Sequence, residues 1–349
     1  MLRLRNFFKK NYTLFSKLHL CIFLLFHINL PLLAQSESKE IPKEVNPKSQ
    51  WGYVLSSSLP KFSNDYLESI SKSYEILCIN GLELNGKGQL RYTSQFTDKI
   101  SKSTLKSKDA ARAIIYPMII VSSIRDGIEL LNSDKSKRKA IDLIVEFLEE
   151  QGFKGVHLDI EYLPPEFDLK LVDFLNELRT ALREKKMKLT FAVFPQIDFP
   201  ANTSKLHNVE KLASAVDEVV LMSYDYHNKK TEAGCVTSLE WTKKNITHLL
   251  KYFKPEQVWL GMPSYGYEWV LDSKKVNIIS SRDGQIYEKK WEGTRENSGC
   301  LKILREEKKK TSMIFLADQE TRNKMKEIAE EFKIRGTAIW RLGLEEKEE

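Results

Sequence analysis

Residues 155–165 read GVHLDIEYLPP, with Val156, Leu158 and Ile160 alternating against His157, Asp159 and Glu161. In an extended strand alternate residues point the same way, so Asp159 and Glu161 share a face with their Cα atoms roughly 7 Å apart. Unpaired carboxylates are expensive to bury. Two that close resist ionising together, so one can hold a proton while the other carries charge, which is what general acid–base chemistry needs. The plainer reading is a carboxylate pair held by buried arginines or backbone donors.

Elements must exist to present that pair. Strand-like runs fall at 51–56, 75–80, 113–121, 155–162, 189–195, 218–226, 258–266 and 337–343. Most are short, β-branched or aromatic, and nearly continuously apolar, as strands of a parallel sheet covered by helices should be. Helical patterns lie between them. In DKSKRKAIDLIVEFLEEQG, Ile141, Ile144, Val145 and Leu148 share one face and Gly152 marks the stop. In the segment from Pro164 to Lys186, Pro165 stands near the first turn, where its missing N–H costs little.

Eight strands in a βα series predict an α/β fold, a (β/α)8 TIM barrel with a small inserted lobe at 270–313 after strand 7. A doubly wound open sheet is the competing arrangement, but SSSLPKFS after the first strand supplies no glycine-rich phosphate turn. In a barrel, Val156, Leu158 and Ile160 pack outward under the helices. The acids then point inward near the C-terminal end of the strand, where barrel enzymes place their chemistry.

The formal charge of +7 would suggest a nucleic-acid or membrane partner if it were spread over the chain. It is not. Residues 1–34 hold Arg3, Arg5, Lys9, Lys10 and Lys17 and no acid, which leaves 50 basic against 48 acidic residues in the remainder, a net of +2. No nucleic-acid partner is expected.

The basic start, the apolar run LHLCIFLLFHINLPLLA and Ala34 before Gln35 predict a secretory signal at 1–34, with a retained anchor as the alternative. Export to the cell envelope or beyond follows, with no membrane contact beyond that segment. Residues 35–50 read as a polar linker and 51–349 as the barrel. Cys78 is expected in the core, and Cys235 and Cys300 could pair in an oxidising compartment. The six histidines show no HExxH or comparable spacing, so neither a metal nor a cofactor is expected.

The motifs in order resemble glycoside hydrolase family 18, the chitinase-type barrels. KGVHLDIE (154–161) is similar to that family's DGxDxDxE, with Asp159 at the third aspartate and Glu161 at the glutamate. LMSYDY (221–226) resembles its MxYD, GMPSYGYEW (261–269) its GxPxYGxxW, and GTAIWRLG (336–343) its closing strand with a tryptophan. The phrases LDIEYLPP and AIWRLG look similar to the bacterial branch acting on cell-wall or spore peptidoglycan. Three departures stand out: Lys154 and His157 replace the first two aspartates, VSSIRDG stands where many members have SxGG, and Tyr267 occupies a position where arginine often follows the YG pair.

The resemblance implies hydrolysis of β-linked N-acetylglucosamine glycans, retaining and without a protein nucleophile. Glu161 would protonate the glycosidic oxygen, and the substrate's 2-acetamido oxygen would attack the anomeric carbon. Asp159 would hold the acetamide N–H, Tyr224 its oxygen, Asp225 the pocket wall, and Trp340 the floor under the sugar. Tyr53, His157, Phe194, Gln196, Met222 and Trp269 are the further candidates for lining the cleft, with core or rim packing as the alternative for each. His157 either tunes the charge on Asp159 near neutral pH or is an uncharged core histidine. Chitin, peptidoglycan and N-glycan cores stay open as substrates, a monomer is expected, and a sugar-binding barrel without turnover is the alternative function.

Overall fold

Eight parallel strands close on themselves in the computed structural model, which describes residues 50–92, 96, 113–273, 275–307 and 310–346. They are β1 (Gln50–Leu55), β2 (Ile76–Leu84), β3 (Ile114–Val121), β4 (Gly155–Asp159), β5 (Lys188–Val193), β6 (Glu218–Leu221), β7 (Val258–Pro263) and β8 (Gly336–Trp340). Each pairs in parallel with the next, and β8 returns to β1 through Gln50–Thr337 and Trp51–Ala338, so no barrel edge is left open. The signal segment and all of the linker but Gln50 lie outside the described residues.

Helices cover the outside for reasons legible in their sequences. Asp134–Gln151 starts where the Ser133 side chain accepts from Ser136 N–H and stops at Gly152, whose φ of 72° is left-handed. Its Ile141, Ile144 and Leu148 are buried against the sheet, while Val145 is half-buried. The segment after β4 turns once as a 3₁₀ helix at Pro165–Phe167 and then runs as Asp168–Glu184. Val156, Leu158 and Ile160 are buried with these helices, facing away from the barrel axis as strand alternation requires.

Inside, Trp51, Tyr53, Tyr116, Met118 and Trp259 fill the barrel around His157. The barrel interior is therefore a packed core, and the C-terminal mouth is where a barrel of this kind places its chemistry.

Several strands end earlier than the sequence pattern suggests, β4 at Asp159 and β8 at Trp340 among them, and two further endings reshape the mouth. The run 218–226 leaves the sheet after Leu221, where Ser223 N–H turns back onto Leu221 O and Asp225 takes a left-handed φ of 59°. The run 258–266 divides at Ser264, whose N–H and hydroxyl are tied to Trp340 O and Arg341 O. Beyond that point the chain enters a five-stranded antiparallel sheet of 265–270, 276–280, 293–295, 301–307 and 310–316, with helix Ser281–Glu288. The inserted lobe thus begins inside the expected seventh strand, because the apolar run continues through Tyr265, Tyr267 and Trp269 with no break in composition.

Candidate active site

A cleft of about 650 Å³ opens at the C-terminal mouth of the barrel, and the acids of β4 stand at its floor. Asp159 closes β4 and Glu161 follows it in irregular chain, and both carboxyls line the cleft. The two carboxyls are close enough for their ionisation to be linked, so they resist ionising together. Burial, partly offset by the Glu161 hydrogen bond, pushes Asp159 up to about 6. Burial first, and then the Asp159 charge, hold Glu161 well above the ordinary carboxylate range. Asp159 Oδ1 is buried without a hydrogen-bond partner.

No arginine reaches the pair among the described residues, so they are not a structural ion pair. An unsatisfied acceptor at the floor of a cleft is a place for a ligand's donor.

The segment carrying the pair is held from behind by His207. Its Nδ1 accepts from Phe194 N–H at 2.9 Å, which leaves Nε2 to donate to Ile160 O at 2.9 Å. Burial pushes His207 down to about 4, so the imidazole stays neutral and the bridge is kept. Ile160 is the residue between the two acids, and this contact fixes the peptide that sets their spacing. Nothing in the local sequence around His207 announces it, because the contact spans 47 positions.

Across the cleft Asp225 is held differently. The hydroxyls of Tyr265 and Tyr267 both donate to its Oδ1, at 2.6 and 2.8 Å. Burial raises its pKa, and the two phenols work against that rise. Tyr224 lies beside it, its ring 6.5 Å from that of Tyr265. Gly261 makes room for it: a Cβ there would meet Leu221 O at 2.4 Å and the Tyr224 ring at 3.1 Å. Tyr265 and Tyr267 were not among the expected site residues. Their spacing of two on one strand face, SYGY, is the signal that would have found them.

Of the remaining candidates, Tyr53, His157, Phe194, Met222 and Trp340 reach the cleft. Trp340 packs edge-on to Tyr53 at 5.2 Å. His157 is the core histidine of the two readings. Tyr53 Oη lies 3.0 Å from its Nε2 and Thr190 Oγ1 2.9 Å from its Nδ1, and burial pushes it down to about 3. It therefore carries no charge near neutral pH and does not tune Asp159 by titrating.

Gln196 and Trp269 stand elsewhere. The Gln196 amide donates to Phe194 O and Ser204 O, and Trp269 is buried in the inserted lobe against Tyr267 and Phe315. The Gln196 side chain is spent on these two backbone carbonyls and does not line the cleft. Trp269 follows the strand out of the barrel.

Tyr162 joins the site from outside the expected set. It has a left-handed φ of 61°, lines the cleft, and is 57% exposed directly after Glu161.

Cys235 and Cys300 form a disulfide with Cα atoms 5.8 Å apart, joining the loop after β6 to the inserted lobe. Cys78 is free and buried in the barrel. Among the described residues no group of His, Cys, Asp and Glu could hold a metal, and no helix is long and apolar enough to cross a membrane. A second hollow, of about 690 Å³, lies between helices Asn64–Ser73 and Gln319–Glu331. Its two acids are already engaged, Glu346 with Arg322 and Glu345 with the Tyr66 hydroxyl.

Comparison with known proteins agrees with this geometry. The chain is 24% identical over 252 residues to the uncharacterized glycosylase YvbX of Bacillus subtilis, covering 68% of this chain and 73% of that one. The fold matches the spore cortex-lytic enzyme SleL of Bacillus megaterium with a TM-score of 0.73, at 18% identity over 85% of this chain and 71% of SleL. It also matches a chitinase of Cycas revoluta, solved in complex with (GlcNAc)3, with a TM-score of 0.71, at 19% identity over 84% of this chain and 94% of the other. The profile of Glycosyl hydrolases family 18 covers residues 122–345, more than half of the sequence and all of the acid-bearing mouth from β4 to β8. The chain belongs to glycosyl hydrolases family 18 and is a glycoside hydrolase.

Proposed function

We propose that the protein is an exported glycosidase that hydrolyses β-linked N-acetylglucosamine glycans by a retaining, substrate-assisted route. The observation that carries this reading is the carboxyl pair Asp159 and Glu161 lining one cleft, with Asp159 Oδ1 buried and unpartnered there. Glu161, held protonated by burial and by its neighbour's charge, gives its proton to the glycosidic oxygen. The substrate's acetamide oxygen closes on the anomeric carbon and the leaving sugar departs with that proton. The glycosyl carbon is then held as an oxazolinium.

Asp159, the charged member of the pair, accepts the acetamide N–H through its free oxygen and stabilises the positive charge as it develops. Tyr224 donates to the acetamide oxygen, Asp225 holds that wall, and Trp340 forms the floor. Glu161, now a carboxylate, takes a proton from the incoming water, and the ring opens with net retention.

Export rests on the character of residues 1–34, and the Cys235–Cys300 disulfide supports an oxidising compartment. The (GlcNAc)3 complex of the plant chitinase and the cortex-lytic activity named for SleL support the substrate class.

Glu161→Gln is the test. The amide keeps the shape and loses the transferable proton, so turnover of chitohexaose should fall about 10²–10⁴-fold while binding measured by calorimetry is retained. Near-normal turnover in a folded variant would remove Glu161 from the mechanism.

A further inference from the structure

We propose that Lys229 and Lys230 make this cleft selective for glycans that carry carboxylates, by binding an anionic substituent of the sugar chain beside the scissile bond. The inference deepens the glycosidase reading above and rests on it. Both lysines are exposed and line the same cleft as the acids. Neither makes an ion pair among the described residues. They are not counter-ions of the catalytic acids either: the titration of Asp159 and of Asp225 is governed by burial and by their own hydrogen bonds.

The loop that presents them is fixed. Tyr226 N–H and His227 N–H donate to Val236 O and Cys235 O, and Cys235 is bonded to Cys300. Asn228 locks the turn itself, its Nδ2 donating to Asp225 O and its Oδ1 accepting from Lys230 N–H. The Thr231 hydroxyl accepts from Asn228 N–H. Two ammonium groups are thus held within a few residues of Asp225 on a backbone that loses little freedom on binding.

A general basic surface does not explain them, since residues 35–349 are nearly balanced at 50 basic to 48 acidic. A neutral chitin chain offers these lysines nothing to pair with. A chain bearing carboxylates does, whether the group is a lactyl ether on alternate sugars or a carboxylate on an attached peptide. The shared chemistry is a carboxylate projecting from an N-acetylated amino-sugar polymer.

The experiment compares wild type with Lys229→Ala/Lys230→Ala on four probes. These are chitohexaose, peptidoglycan strands stripped of peptide, strands retaining peptide, and stripped strands with their carboxyls capped as methyl amides. The variant should lose about tenfold in kcat/KM on the carboxylated strands and less than about twofold on chitohexaose and the capped strands. The wild-type preference should shrink as ionic strength rises.

Loss on the stripped strands assigns the lactyl carboxylate, and loss confined to peptide-bearing strands assigns the peptide. Equal losses on charged and neutral probes, or no loss on any, would overturn the proposal. Calorimetry on the same probes separates the two readings. Lysine-dependent binding of carboxylated strands without turnover would retire the glycosidase reading and keep the lysine assignment.

Discussion

Asp159 and Asp225 line one cleft and are held in opposite ways. Asp225 receives two phenol hydroxyls on a single oxygen. Asp159 has a buried oxygen with no donor, and the partner on its other side is a second carboxyl. Both are pushed upward by burial, yet Asp225 is relieved by two phenols and Asp159 only by its fellow acid. The difference separates a wall from a reagent: a satisfied carboxylate holds its surroundings in place, while an unsatisfied one keeps its hydrogen-bonding capacity for the substrate.

The largest effect that could break this comparison comes from Asp159→Asn. Removing the charge should lower kcat by about 10²–10³, the scale of losing one preorganised electrostatic contact. It should also raise the melting temperature at pH 7. A carboxyl whose folded pKa of about 6 lies above its unfolded value loses stability as pH rises through that window, and the amide has no such loss. The same values place the acid limb of wild-type kcat/KM near pH 6, because Asp159 must be charged while Glu161 keeps its proton. A variant that is both less stable and fully active would show Asp159 to be a structural acid like Asp225.

Tyr265→Phe and Tyr267→Phe probe the other wall, with smaller effects. Each removes one donor from Asp225 and should cost about 1–2 kcal/mol of stability in denaturant unfolding, since the lost hydrogen bond is to a charged acceptor. Turnover should fall less than in Asp159→Asn. Combining the two should cost more than the sum if Asp225 then loses its charge. Activity losses as large as those of Asp159→Asn would make the tyrosines part of the chemistry and erase the distinction.

The smallest expected effect is at Tyr162, the aromatic residue held at φ 61° beside Glu161. Asparagine tolerates that backbone region, so Tyr162→Asn should gain about 1 kcal/mol of stability by relieving strain while lowering turnover. A loss of stability would mean that contacts of the ring, such as that with Phe194 at 5.8 Å, outweigh the strain.

How much of this was written in the sequence depends on whether the cause is local. Alternation in GVHLD put His157 and Asp159 on one inward face, and nearly continuous apolar runs implied a covered parallel sheet, but the strand ends at Asp159 and Glu161 reaches the cleft from irregular chain. Gly152 ended its helix for an equally local reason.

The seventh strand was misjudged because its departure from the barrel is marked only by Ser264 bonding to Arg341, a partner 77 positions away. His207 was invisible for the same reason. His157 stood in plain view, but whether it titrates depended on the Tyr53 and Thr190 partners and the burial that only folding supplies. Tyr267 was noticed as a departure from the family pattern, while its work, donating to Asp225, needed the turn at Ser223 that brings Asp225 to it.

The most direct test of the substrate-assisted reading is the anomer released first from chitohexaose, followed by time-resolved proton NMR before mutarotation. The account predicts the β-anomer, with the α-anomer appearing only at the rate of spontaneous mutarotation. Release of the α-anomer as the first product would mean that water attacks the bond directly, and would contradict the role given to Asp159 and the acetamide.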